Sequence, residues 1–190
     1  MIELQQFQRA DIKKFISWFD REEYLYRACG NTFKFPLDEN QLEQYIKGVE
    51  AKPQVRQIYK AVDLKFNLHI GNLTIERINR EAGTAAIACV VIGEEFFLGK
   101  GICKMMIDKA IDIAFIKLGL IKLTLNVYDF NSPAVKCYQS SGFKEIERTI
   151  VKFGDDDYVN VKMELNHAPP LKGARGMTIK ILKVSGIFIL

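Results

Sequence analysis

Hydrophobic positions along the chain change their spacing several times, and each change marks an element. Ile2 to Phe7 reads as a first strand, after which Asp11 can cap a helix whose Ile12, Phe15, Ile16 and Phe19 recur at helical spacing. A connection with a glycine and several aromatics, RACGNTFKFPLDENQLEQYI, leads to Asp38 and Gln41, the spacing of a capping box, and so to a second helix with Leu42, Tyr45, Ile46 and Val49. VRQIYKAV and LHIGNLTIERI predict two strands with a turn near 64–67 between them. TAAIACVVIG is almost wholly apolar, the pattern of a strand covered on both faces.

Beyond the stretch GEEFFLGKG the period lengthens again. Ile102, Met106, Ala110, Ile113 and Ala114 form one stripe, with Lys104, Asp108, Lys109 and Asp112 off it, so a helix is expected to about Gly119. IKLTLNVYD alternates as a strand does. Ser132-Pro133 is a helix start, with a capping hydroxyl before a first-turn proline, and Gly142 its stop. Phe143 to Val151 and Tyr158 to Leu165 then face each other across FGDDD as a hairpin. The order is strand, two helices, three strands, helix, strand, helix, hairpin, which predicts a mixed α/β sheet in a single domain over residues 1–165. Residues 166–190 form an extension of unknown role: HAPPLKGARG is linker-like, and MTIKILKVSGIFIL either adds a strand to a sheet edge, here or in a neighbour, or is vector-derived.

Composition narrows the class. A chain of 190 residues with 48% hydrophobic and 26% charged residues is an ordinary globular domain. Its net charge of +4, from 27 basic and 23 acidic residues without a like-charged block, suits an anionic small ligand and argues against nucleic acid. Cys29, Cys89, Cys103 and Cys137 include no C-x-x-C pair, and His69 and His167 are the only histidines, so no metal site is predicted. The opening MIELQQFQRADIKKF lacks a signal core, which leads to the expectation of a cytoplasmic protein with reduced thiols. No run approaches a membrane span.

Gly99 and Gly101 stand between the apolar strand and the helix, where backbone N–H groups and the helix dipole favour a phosphate. A Walker loop is excluded because five residues, not four, separate Gly93 from Gly99, and Gly101 stands where Ser or Thr should hold magnesium. A dinucleotide fingerprint is excluded because Lys104 occupies the place of its third glycine. What remains, a strand, a glycine turn, a helix, a strand and NSPAVKCYQSSGF, resembles the GNAT superfamily of acyl-CoA-dependent N-acetyltransferases. Leu98, Gly99, Lys100, Gly101, Ile102 and Cys103 fall on that family's pyrophosphate loop, with Leu98 read as replacing its usual Arg or Gln. Asn131, Ala134, Tyr138, Gly142 and Phe143 match its downstream signature. The aromatic N-terminal stretch FISWFDREEYLYRACG looks most like the RimJ/RimL-type branch.

The resemblance implies a mostly antiparallel sheet flanked by helices, and acetyl-CoA as cosubstrate. It further implies that backbone groups of Val90, Val91 and Ile92 pair with the pantetheine arm, that Asn131 binds nearby, and that Tyr138 protonates the leaving thiolate. The general base is open: Glu76 is the first candidate, with Glu94, Glu95, His69 or a water chain as alternatives. Trp18, Tyr26 and Phe33, with Tyr24 and Phe35, are expected to line the amine site between the first helices and the hairpin. The activity expected is direct transfer to a primary amine of a small molecule or a protein N-terminus. The competing reading is a non-catalytic acyl-CoA-binding sensor or interaction module, and the apolar tail favours a homodimer.

Overall fold

The computed structural model describes residues 1–50, 54–153 and 156–167. Seven strands, β1 (Ile2–Gln6), β2 (Arg56–Asp63), β3 (Leu68–Asn79), β4 (Thr84–Ile92), β5 (Lys122–Tyr128), β6 (Lys144–Phe153) and β7 (Asp156–Asn166), form one sheet in the order β1-β2-β3-β4-β5-β7-β6. Every neighbouring pair is antiparallel except β4 with β5. The sheet is therefore mixed and mostly antiparallel, as expected.

Helices α1 (Ile12–Ile16), α2 (Glu22–Cys29) and α3 (Glu39–Glu50) cover one face, and α4 (Ile102–Asp112) and α5 (Ser132–Ser140) the other. On the α4 side, Leu73, Ile75, Ile87 and Leu123 pack with Met106, Ile107 and Ala110. On the opposite side, Ile58 and Cys89 meet Phe15, Leu25, Leu42 and Ile46. Two cores on one sheet explain why β4 reads as continuously apolar.

The expected first helix is shorter than its periodicity suggested, and a second one follows it. α1 ends at Ile16, Phe19 lies beyond it, and α2 presents Leu25, Tyr26 and Cys29 to the core before Gly30, at φ 54, stops it. The capping box before α3 is half made. Asp38 Oδ1 accepts from the Gln41 N–H at 2.8 Å, but the Gln41 side chain turns to the backbone of Lys34 and Pro36 instead. The α5 cap lies one residue earlier than expected: Asn131 is N-cap and its carbonyl accepts from Val135 N–H, which makes Ser132 the first helical residue. α4 passes into a π-helical turn at Ile113–Lys117 before Gly119. The apolar tail falls outside the described residues.

Candidate active site

β4 and β5 diverge, and the divergence makes the site. They pair in parallel only from Thr84 with Lys122 to Ile87 with Leu125. Next on β4, Asn72 of β3 faces Val91 while Thr74 faces Ala88, so the chain carries an extra residue there, and Cys89 takes φ 47. Such a bulge bends a strand away from its neighbour. Val90, Val91 and Ile92 consequently have no β5 partner, while Asn126, Val127 and Tyr128 pair on their other side with β7. A strand edge is thus open inside the sheet, ready for an extended ligand with amide groups.

Both strands lead into helices at the open end of this wedge. Gly101 caps α4 at φ 73 and Gly99 stands at φ 71, conformations that glycine adopts without strain. A Cβ built on either glycine meets nothing within 4 Å, so the backbone of the turn is open to a ligand. No side chain caps α4, which leaves first-turn N–H groups at the positive end of the helix free for an anion. Ile102 and Cys103 supply such groups. The Lys100 ammonium lies 3.0 Å above the Phe96 ring. In the loop motif two residues separate the Arg or Gln from the first glycine, so Phe96 rather than Leu98 occupies that position. Both are exposed.

Tyr138, on α5, is 7% exposed, and burial pushes its hydroxyl well above the usual phenol range, so it keeps its proton at neutral pH. Asn131 makes no side-chain cap bond and sits at the start of the same helix. The two wedge helices are tied together: Cys103 and Cys137 form a disulfide, and Ser141 Oγ donates to Asp108 Oδ1 at 2.8 Å. The bridge corrects the expectation of four reduced thiols. Only Cys29 and Cys89 are free, and both are buried. Sequence separation hid the pairing, because it forms only when α4 and α5 lie side by side.

The base candidates are dispersed. Glu76 lies on β3 opposite Ala86, under α3, and accepts from the Tyr45 hydroxyl at 3.1 Å; Arg56 stands 3.6 Å from one oxygen and Arg77 3.5 Å from the other. Glu94, past the end of β4, accepts from Lys14 and from Trp18 Nε1, and Lys14 holds its carboxyl below the usual range. Glu95 starts a short 3-10 turn. His69 contacts the Trp18 and Phe7 rings, with Nε2 3.1 Å from the Gly71 carbonyl, and burial lowers its pKa.

The expected acceptor residues divide. Trp18 lies against Gly93 at the end of β4, whereas Phe33 lines two hollows beside α2 and α3, one of about 260 Å³ that also includes Tyr26 and Phe35 and one of about 540 Å³. Neither hollow includes Tyr138 or the glycine turn. Tyr24 is exposed. Tyr26 also stacks on Tyr128 at 5.3 Å, Tyr128 on Phe130 at 5.4 Å, and Tyr158 leans on both. This aromatic wall at the end of β5 draws on α2, β5 and β7, so linear reading missed it, although Tyr128 and Phe130 directly precede the Asn131 signature.

The family model described as Acetyltransferase (GNAT) domain matches residues 2–144. The chain belongs to the GNAT acetyltransferase family. One GNAT relative, the SPbeta prophage-derived uncharacterized N-acetyltransferase YokL of Bacillus subtilis, is 27% identical over 113 residues, covering 60% of this chain and 61% of that protein. The spermidine N-acetyltransferase of Vibrio cholerae, solved in complex with CoA and spermine, superposes with a TM-score of 0.75 at 20% identity, over 87% of this chain and 95% of that one. A dodecameric structure of the same Vibrio cholerae enzyme gives 0.70 at 21% identity, over 87% and 93%. These likenesses establish the GNAT fold. Among the described residues no helix is long and apolar enough to cross a membrane, and no cluster of side chains suits a metal ion.

Proposed function

We propose that the chain is an acetyl-CoA-dependent N-acetyltransferase whose acceptor is a primary amine of a small molecule or a protein N-terminus. The observation that carries this reading is the open edge at Val90–Ile92, lying between two helix starts with Tyr138 on the second helix. In it the pyrophosphate sits on the turn Leu98–Cys103, the pantetheine amides pair with Val90, Val91 and Ile92, and a β4 N–H polarises the thioester carbonyl. Asn131 holds the arm from the β5 side.

A neutral amine attacks the carbonyl carbon, the tetrahedral oxyanion collapses, and the C–S bond breaks. Tyr138 gives its proton to the leaving thiolate, and the proton that the attacking nitrogen sheds as the amide forms passes through water to restore the Tyr138 hydroxyl. An ammonium with a pKa near ~10.4 must first lose a proton, and in this reading water carries it away. Glu76, with Tyr45, Arg56 and Arg77 around its carboxylate, then serves as a structural anion under α3 rather than as the base. The aromatic wall already seats one cation, the Arg27 guanidinium 5.3 Å from the Phe130 ring centroid, and the Vibrio cholerae neighbour is a spermidine N-acetyltransferase. Polyamines therefore head the acceptor panel. The RimJ/RimL-type branch, a cytoplasmic location, a homodimer, and a catalytic domain ending near residue 165 belong to the same reading.

The test is CoA release from acetyl-CoA across polyamines, aminoglycosides, amino acids and N-terminal peptides. Amine-dependent release that drops about a hundredfold in Tyr138→Phe is expected for loss of a general acid. Acetyl-CoA binding with no release for any amine would transfer the assignment to a sensor.

A further inference from the structure

The disulfide between α4 and α5 has no part in acetyl transfer, yet its position is specific. Cys103 lies in the first turn of α4, just after the glycine turn, and Cys137 immediately precedes Tyr138. Their Cα atoms are 6.4 Å apart across a sequence separation of 34, and the enclosed segment holds most of α4, all of β5 and Asn131. The bond therefore spans the two helices that flank the wedge. Both cysteines are half-buried, within reach of a small thiol, whereas the free pair Cys29 and Cys89 is buried and burial pushes the Cys29 thiol up. The Ser141–Asp108 hydrogen bond lies farther along both helices, so they remain side by side without the sulfur bond, but the end nearest the turn loses its covalent tie.

We propose that Cys103 and Cys137 form a redox-modification site for low-molecular-weight thiols and disulfides, and that the bridge tightens the acetyl-CoA site; this rests on the glycine turn being the pyrophosphate seat. In forming it, one protein thiolate attacks a small disulfide and expels a thiolate, giving a mixed disulfide. The second protein thiolate then displaces the remaining small thiol. One S–S bond breaks and one forms, two electrons pass to the small molecule, and two protons go to the released thiols. The bridged state fixes the turn relative to Asn131 and Tyr138, which lowers the ordering cost when acetyl-CoA spans both helices.

Titration calorimetry of acetyl-CoA into oxidised protein, phosphine-reduced protein and the Cys103→Ser and Cys137→Ser variants tests this. Thiol counting on the denatured samples verifies each state. The oxidised wild type is expected to bind about tenfold more tightly than the reduced protein, an ordinary coupling between linked events. Each serine variant should bind like the reduced protein and ignore the phosphine. Equal affinity in both redox states, or tighter binding after reduction, overturns the latch, as does failure to find the bridge after treatment with a small disulfide. Gly101→Val separates the two claims. Loss of its binding in both states upholds the seat, so a redox-independent wild type then counts against the latch alone; unchanged binding in Gly101→Val removes the seat and the latch with it.

Discussion

Gly93 shows how one missing methyl group shapes the end of β4. A Cβ built there would land inside the Trp18 indole, whose Nε1 also donates to Glu94 at 3.2 Å. The contact anchors the turn after α1 to the end of the strand that carries the open edge. Gly93→Ala must expel the ring, and overpacking of this kind costs ~1–3 kcal/mol. Because Trp18 is the only tryptophan, its fluorescence reports the event directly. The expected result is a red-shifted emission maximum and a lower melting temperature. An unchanged spectrum would mean that the ring has room to shift without leaving.

Among the elements, α3 depends on a cap that the sequence announced. Asp38→Ala removes the acceptor for the Gln41 N–H and should cost about 1 kcal/mol. For a chain of this size that is a fall of roughly 2–4 °C in melting temperature, readable by circular dichroism. The elements legible in the sequence were the seven strands, α3, α4 and α5, marked by regular periods or by local start and stop residues. What escaped had physical reasons. α2 is only eight residues long and is separated from α1 by five residues, so two short helices merged with their connection in the hydrophobic pattern. The bulge at Cys89 leaves no mark in an unbroken apolar run, although it opens the site. The glycine turn and Tyr138 were visible because their spacing is local. The sulfur bridge and the aromatic wall depend on packing between distant segments, which no local spacing encodes.

At the scale of the whole molecule, tyrosines wholly or partly withdrawn from water shape the alkaline limit. Burial raises the hydroxyls of Tyr45, Tyr128 and Tyr138, and coupling to Cys89 and Glu76 adds to the effect at Tyr45. The unfolded chain releases these protons near ~10, while the folded chain still holds them. Stability present below that pH is therefore lost as pH rises beyond it. Urea midpoints are expected to fall between pH 9 and 11, values chosen to straddle the free phenol pKa of about 10. Tyr138→Phe should flatten that fall, and an equal slope in the variant would show that its hydroxyl is not held back by burial.

The parallel junction between β4 and β5 is only four residue pairs long. The molecule is in that sense two smaller sheets, β1–β4 and β5–β7–β6, that share a narrow neck. A pantetheine arm bonded along β4 and held by Asn131 would extend that neck to the full depth of the sheet. The cosubstrate would then act as a missing strand, and each catalytic cycle would complete the scaffold and open it again as CoA leaves.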